Sequence, residues 1–63
     1  MNIKQRMEVL GMSQVDMIFA LQRRGVEVQP PMLSSILRGV YTYPKARRIL
    51  AECDKVLMER ERQ

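Results

Sequence analysis

Apolar residues recur at spacings of three and four along the chain, punctuated by glycine and proline, and this pattern predicts helices. Ile3, Met7 and Leu10 share one face of a first helix over Asn2 to Leu10, and Gly11 ends it. Ser13 is a favoured N-cap with Asp16 three residues on, so it opens a second helix, whose inward face is Met17, Ile18 and Leu21. Arg23 and Arg24 fall in its last turn, where cations complement the helix dipole, and Gly25 closes it. Pro30 and Pro31 suit the first turn of a short third helix, because an N–H there has no intrahelical partner to lose. Leu33, Ile36 and Leu37 are its buried positions, and Gly39 stops it. Pro44 opens a fourth helix, in which Ala46, Ile49, Leu50, Cys53, Val56 and Leu57 keep the spacing for three turns. The polar end, residues 58–63, reads as a frayed tail. No segment reads as a strand, since Val26-Glu27-Val28 is short and runs into two prolines. The expectation is an all-α, compact four-to-five-helix bundle forming one domain over residues 1–63.

Length and composition narrow the chemistry. A chain of 63 residues buries only about 60% of its unfolded surface and has no room for a deep substrate cleft. It contains no histidine and one cysteine, which excludes an internal disulfide, a Cys/His zinc site and a histidine-based triad. No nucleophile–base pair and no phosphate-cradling glycine loop can be found, so neither an enzyme nor a cofactor is expected. No apolar run approaches the roughly 18 residues of a membrane span, and the start lacks the apolar stretch of a secretory signal. With a lone thiol, this fits a soluble cytoplasmic protein. Cys53, in phase with Ile49, Leu50 and Val56, reads as a small core residue.

The formal charge is +4, and its distribution says more than its sum. Residues 1–48 carry eight basic and three acidic groups, a balance of +5; residues 49–63 carry three and four, a balance of −1. Between Val28 and Ala51 there is no acid, while Arg38, Lys45, Arg47 and Arg48 all lie there, among Ser34, Ser35, Tyr41, Thr42 and Tyr43. Cations neutralise phosphates and hydroxyls donate to them, so this stretch suits a nucleic-acid backbone. A plain solvated basic surface accounts for it equally well.

Two helices joined by a turn, the second brief and preceded by an N-terminal helix, describe a helix-turn-helix. The third helix offers Gln29, Pro31, Met32, Ser34, Ser35 and Arg38 outward. Serine and glutamine bond base edges or phosphates, and proline and methionine can touch a thymine methyl.

Ile3-Lys4-Gln5-Arg6-Met7, Leu10-Gly11-Met12-Ser13-Gln14 and Leu33-Ser34-Ser35-Ile36-Leu37-Arg38-Gly39 together resemble the phage repressor/Cro type of helix-turn-helix, the Xre-like family. Met12-Ser13-Gln14 is similar to the Leu-Thr-Gln that opens the family's second helix. Leu33 to Gly39 is similar to its recognition-helix ending, Ile-Ser-Arg-Ile-Leu-Asn-Gly. The resemblance covers about residues 3–57. It departs at the stretch from Gln22 to Val28, longer than the family's turn, and at Pro30 and Pro31, which stand where base-reading polar side chains usually do. What it implies is a sequence-specific regulator of transcription, a repressor for instance, acting by operator occupancy on double-stranded DNA. Ser13 and Gln14 would meet phosphate at the start of helix two, aided by its N–H groups and dipole. Gln29, Pro31, Met32, Ser34 and Ser35 would face the groove, and Arg38, in place of the family's asparagine, would clamp a phosphate. Tyr41, Tyr43 and Lys45 would reach the backbone from the following loop, with Arg47 and Arg48 nearby.

Two surfaces bear on partners. The apolar stripe of helix four runs on through Cys53, Val56 and Leu57, beyond what a minimal core must cover, and this predicts a homodimer through that helix. Val15 and Phe19 fall at i and i+4 on the side of helix two away from Met17. Either Phe19 folds back onto helix one or four, or the pair is a contact surface. The second possibility supports an alternative function, a helix-turn-helix fold that binds a protein partner through Val15 and Phe19 or through the C-terminal helix.

Overall fold

Asn2 and Ser13 start helices by the same device. In the computed structural model, which describes residues 1–39 and 43–63, the Gln5 N–H donates to Asn2 Oδ1 at 2.8 Å and the Asn2 N–H donates back to Gln5 Oε1 at 3.0 Å. Ser13 and Asp16 make the same reciprocal pair at 3.1 and 2.9 Å, as their spacing predicts. Each pair satisfies two N–H groups that the helix leaves without a partner. They open α1 (Ile3–Val9) and α2 (Gln14–Arg23). α3 (Pro30–Leu37) and α4 (Pro44–Glu61) begin with proline instead. The described residues form these four helices and no strand, so the chain is all-α. The Cα radius of gyration is 10.7 Å, matching the 2.2·N^0.38 scaling of compact domains to within about 1 Å.

The ends of α1 and α2 explain core residues that helical spacing does not reveal. At the end of α2 the Gly25 N–H donates to the Gln22 carbonyl and the Val26 N–H to the Leu21 carbonyl, both at 2.9 Å. Gly25 takes φ +79°, a left-handed conformation that costs a glycine little. This bond pattern folds Val26 back onto the last turn, near Leu21, and both side chains are buried. α1 ends the same way, with the Met12 N–H on the Met7 carbonyl at 2.9 Å and both methionines buried. Val26 and Val28 are buried while Glu27 between them is exposed, so the extended turn adds two more side chains to the core.

α4 is the spine: α1, α2 and α3 all pack on it, and α2 packs on α3. It contributes Ala46, Ile49, Cys53, Val56 and Leu57, which meet Met7 of α1, Met17 and Leu21 of α2, and Leu33 and Ile36 of α3 in one cluster. Full burial of a leucine, isoleucine or methionine stabilises by about 1.5–3 kcal/mol, so these residues carry most of the fold.

Two expectations are corrected here. Cys53, Val56 and Leu57 are buried within the single chain, Val56 alone keeping 5% exposure, so they cannot form the seam with a second copy. The three helices packed on α4 take up the whole stripe, because Met12, Val26 and Val28 enlarge the core it covers. The polar end is also not separate from the fold. α4 continues to Glu61, with Glu59 and Glu61 bonded to arginines of the other helices.

Candidate nucleic-acid interface

α3 exposes a polar side because its three-four apolar spacing buries Leu33 and Ile36. Pro31, Ser34, Ser35 and Arg38 follow i, i+3, i+4 and i+7 and share the opposite side. Pro31 and Arg38 are exposed, with Gln29 just ahead of them, and Ser34 and Ser35 are half-buried. Arg38 Nη2 donates a long 3.5 Å bond to Ser35 Oγ. This leaves most of the guanidinium's donors open. Met32, expected to face outward, is half-buried and packs against the core, because it flanks Ile36 rather than Pro31.

The helix starts differ in what they offer an anion. Pro30 and Pro31 have no N–H, so the leading turn of α3 has lost two of the donors a helix start normally presents. At the start of α2 the Asp16 N–H is taken by Ser13 Oγ, and the Asp16 carboxylate adds a negative charge there. Ser13 accepts that bond and keeps its own O–H for donation. Gln14, beside it, is half-buried. The backbone hydrogen bond from Ser13 holds the Asp16 carboxyl below its usual range, so it stays charged at neutral pH.

Beyond α3, Tyr43 caps α4 and is followed by Lys45, Arg47 and Arg48, all exposed. Lys45 and Arg48 border a groove of about 400 Å³ whose other walls are Gln22, Gly25, Val26 and Ile49. Glu27 also borders it and partly offsets the two cations. Tyr41 and Thr42 lie outside the described residues.

Ion pairs partition the charge. Arg6 grips Glu61 with two donors, Nε at 3.0 Å and Nη2 at 2.8 Å, and reaches Asp54 through Nη1 at 2.6 Å. Arg24 donates through Nε to Glu52 at 2.6 Å and through Nη1 to Glu59 at 3.4 Å. All four acids of α4 are therefore held by Arg6 of α1 and by Arg24 at the C-cap of α2. These bonds hold the Glu52 and Glu61 carboxyls below their usual range. Lys4, Arg23, Arg38, Lys45, Arg47, Arg48, Arg60 and Arg62 are, among the described residues, in no ion pair. Helical spacing alone assigns Arg24 to the helix dipole and gives Arg6 no partner. The signal was there in two features. These are arginines on α1 and at the end of α2, and acids clustered at positions 52, 54, 59 and 61.

No group of acids and thiols able to hold a metal ion occurs among the described residues, and no helix among them is long and apolar enough to cross a membrane. No protein-family model, curated protein or solved structure matches this chain.

Proposed function

We propose that the chain is a small DNA-binding regulator of transcription in which α2 and α3 act as a helix-turn-helix and α3 enters the major groove. The observation that carries this reading is the charge partition. The acids of α4 are tied to Arg6 and Arg24, while Arg38 at the end of α3 and Lys45, Arg47 and Arg48 in the first turns of α4 stay outside any ion pair. Phosphate contacts supply affinity and orientation, whereas base-edge contacts supply sequence preference. Arg38, Lys45, Gln14 and the Ser13 hydroxyl belong to the first group, and Tyr43 joins them by position. Gln29, Ser34 and Ser35 belong to the second, and Pro31 offers an apolar surface to a thymine methyl. Regulation would be steric, through occupancy of an operator. A dimer on two half-sites would need a surface other than Cys53, Val56 and Leu57.

The test is a titration of the whole chain against fragmented DNA from its source at two salt concentrations. Enrichment of one sequence that survives physiological salt supports the reading. Uniform binding that disappears with salt leaves only the generic phosphate attraction and defeats it.

A further inference from the structure

Val15 and Phe19 stand one turn apart on α2, on the side opposite the buried Met17, and each is 56% exposed. The ridge they form is not folded back onto α1 or α4. Next to it, a groove of about 390 Å³ runs between α2 and the last turns of α4. Ala20 and Val56 supply its apolar surface, and Arg23 and Arg60 border it. Arg24 and Glu59 border it too, but they pair with each other, and Arg24 also holds Glu52. The side chains of Arg23 and Arg60 make no ion pair or hydrogen bond, and Asp16, held in its own cap, acts on Arg60 only at a distance. Arg23 lies one turn beyond Phe19 on the same helix, so the apolar ridge and the open cations adjoin.

We infer that this face docks an acidic amphipathic helical segment of a partner protein. Its apolar side would lie on Val15 and Phe19, and its carboxylates would lie on Arg23 and Arg60. Charge complementarity selects this occupant. A second copy of the chain does not fit, because its seven acids are nearly all committed. Four are held by Arg6 and Arg24 and Asp16 closes its own cap, leaving Glu8 and Glu27 on separate elements. DNA supplies negative charge but no apolar side to cover Phe19. The surface shares no residue with the proposed DNA interface.

The test is titration of the ¹⁵N-labelled whole chain with a short synthetic peptide that forms a helix with leucine on one side and glutamate on the other. Amide shifts at Val15, Phe19, Ala20, Arg23, Val56 and Arg60 are expected. Affinity should fall about tenfold with a glutamine-for-glutamate peptide, and by a similar factor in Phe19→Ser. The double variant Arg23→Glu, Arg60→Glu should lose the glutamate peptide and gain a lysine version of it. Phe19, Arg23 and Arg60 are all exposed, and thermal unfolding of each variant confirms that it folds. Shifts centred on Ser35, Arg38 and Lys45 would overturn the inference, since the peptide would then only imitate phosphate. Unchanged affinity in Phe19→Ser overturns it as well. So does a dimer in sedimentation equilibrium that Phe19→Ser dissolves, or a loss of DNA affinity in the double variant as large as that in Arg38→Ala. The titration contains no DNA, so its failure leaves the DNA reading intact, and the reverse holds.

Discussion

Arg24 Nε donates to Glu52 Oε2 at 2.6 Å, joining the end of α2 to the middle of α4 across 28 positions of sequence. The bond holds the Glu52 carboxyl below its ordinary value of 4.5, as Arg6 does for Glu61 and the Ser13 backbone does for Asp16. A carboxyl lowered in this way binds protons less readily in the folded chain than in the unfolded one. It therefore stabilises the fold above its unfolded value, and the contribution is lost as pH falls through the folded value. The thermal midpoint should be level from about pH 7 to about pH 5 and fall below about pH 4. Glu52→Gln should lower the midpoint at neutral pH and lessen the acid-side fall. A midpoint that rises on acidification below that range contradicts the assignment.

Gly25→Ala tests the end of α2. Beyond Gly25 itself and its two chain neighbours, no heavy atom lies within 4 Å of where the new Cβ would sit, so the cost comes from the backbone at φ +79° alone. About 1 kcal/mol is expected, from the strain of a left-handed non-glycine residue. In a domain of this size that lowers the thermal midpoint by roughly 4–8 °C. A change below about 1 °C would show that this turn relaxes freely.

Cys53 has no exposed surface, and burial pushes its thiol up to about 12. The thiolate is the reactive form, so the folded protein should resist a maleimide or disulfide reagent at neutral pH. Labelling should begin only as denaturant unfolds the chain, with the same midpoint as circular dichroism. Rapid labelling of the native protein would place Cys53 outside the core.

Arg38→Ala and Ser34→Ala should separate the two kinds of DNA contact. The first should weaken binding to all sequences by a similar factor and reduce the salt slope by about 1. The second should leave generic binding unchanged and relax preference at one base pair, by on the order of 1 kcal/mol. Competition assays at two salt concentrations read both effects. Equal discrimination in Ser34→Ala and the parent chain would remove Ser34 from base reading.

The helices were legible because their signals are local. The Ser13/Asp16 pair, the glycines after α1, α2 and α3, and the prolines opening α3 and α4 each act within one turn. The turn residues were harder to read. Val26 and Val28 are buried by the course of an extended segment, whose two-residue alternation is too short to stand out beside helical spacing. Met12 and Val26 follow a chain-reversing glycine, and that position sends an apolar side chain back onto the preceding turn. Without Met12, Val26 and Val28 in the core, the α4 stripe looks too long for one chain, and Cys53, Val56 and Leu57 then read as a dimer seam. For the candidate site, the acid-free stretch was visible in the sequence. Its isolation from the acids of α4 was not, because Arg6 and Arg24 reach partners 28 to 55 positions away.

The grip of Arg6 on Glu61 has a topological consequence. It joins the first helix directly to the last turn of the fourth, so the path through α1 to α4 nearly closes on itself. The order in which α1 to α4 are written along the backbone then matters less than their contacts. A circular permutant of residues 1–63, with the end of α4 linked to the start of α1 by a short glycine–serine segment and the chain opened between α3 and α4, should fold to the same bundle.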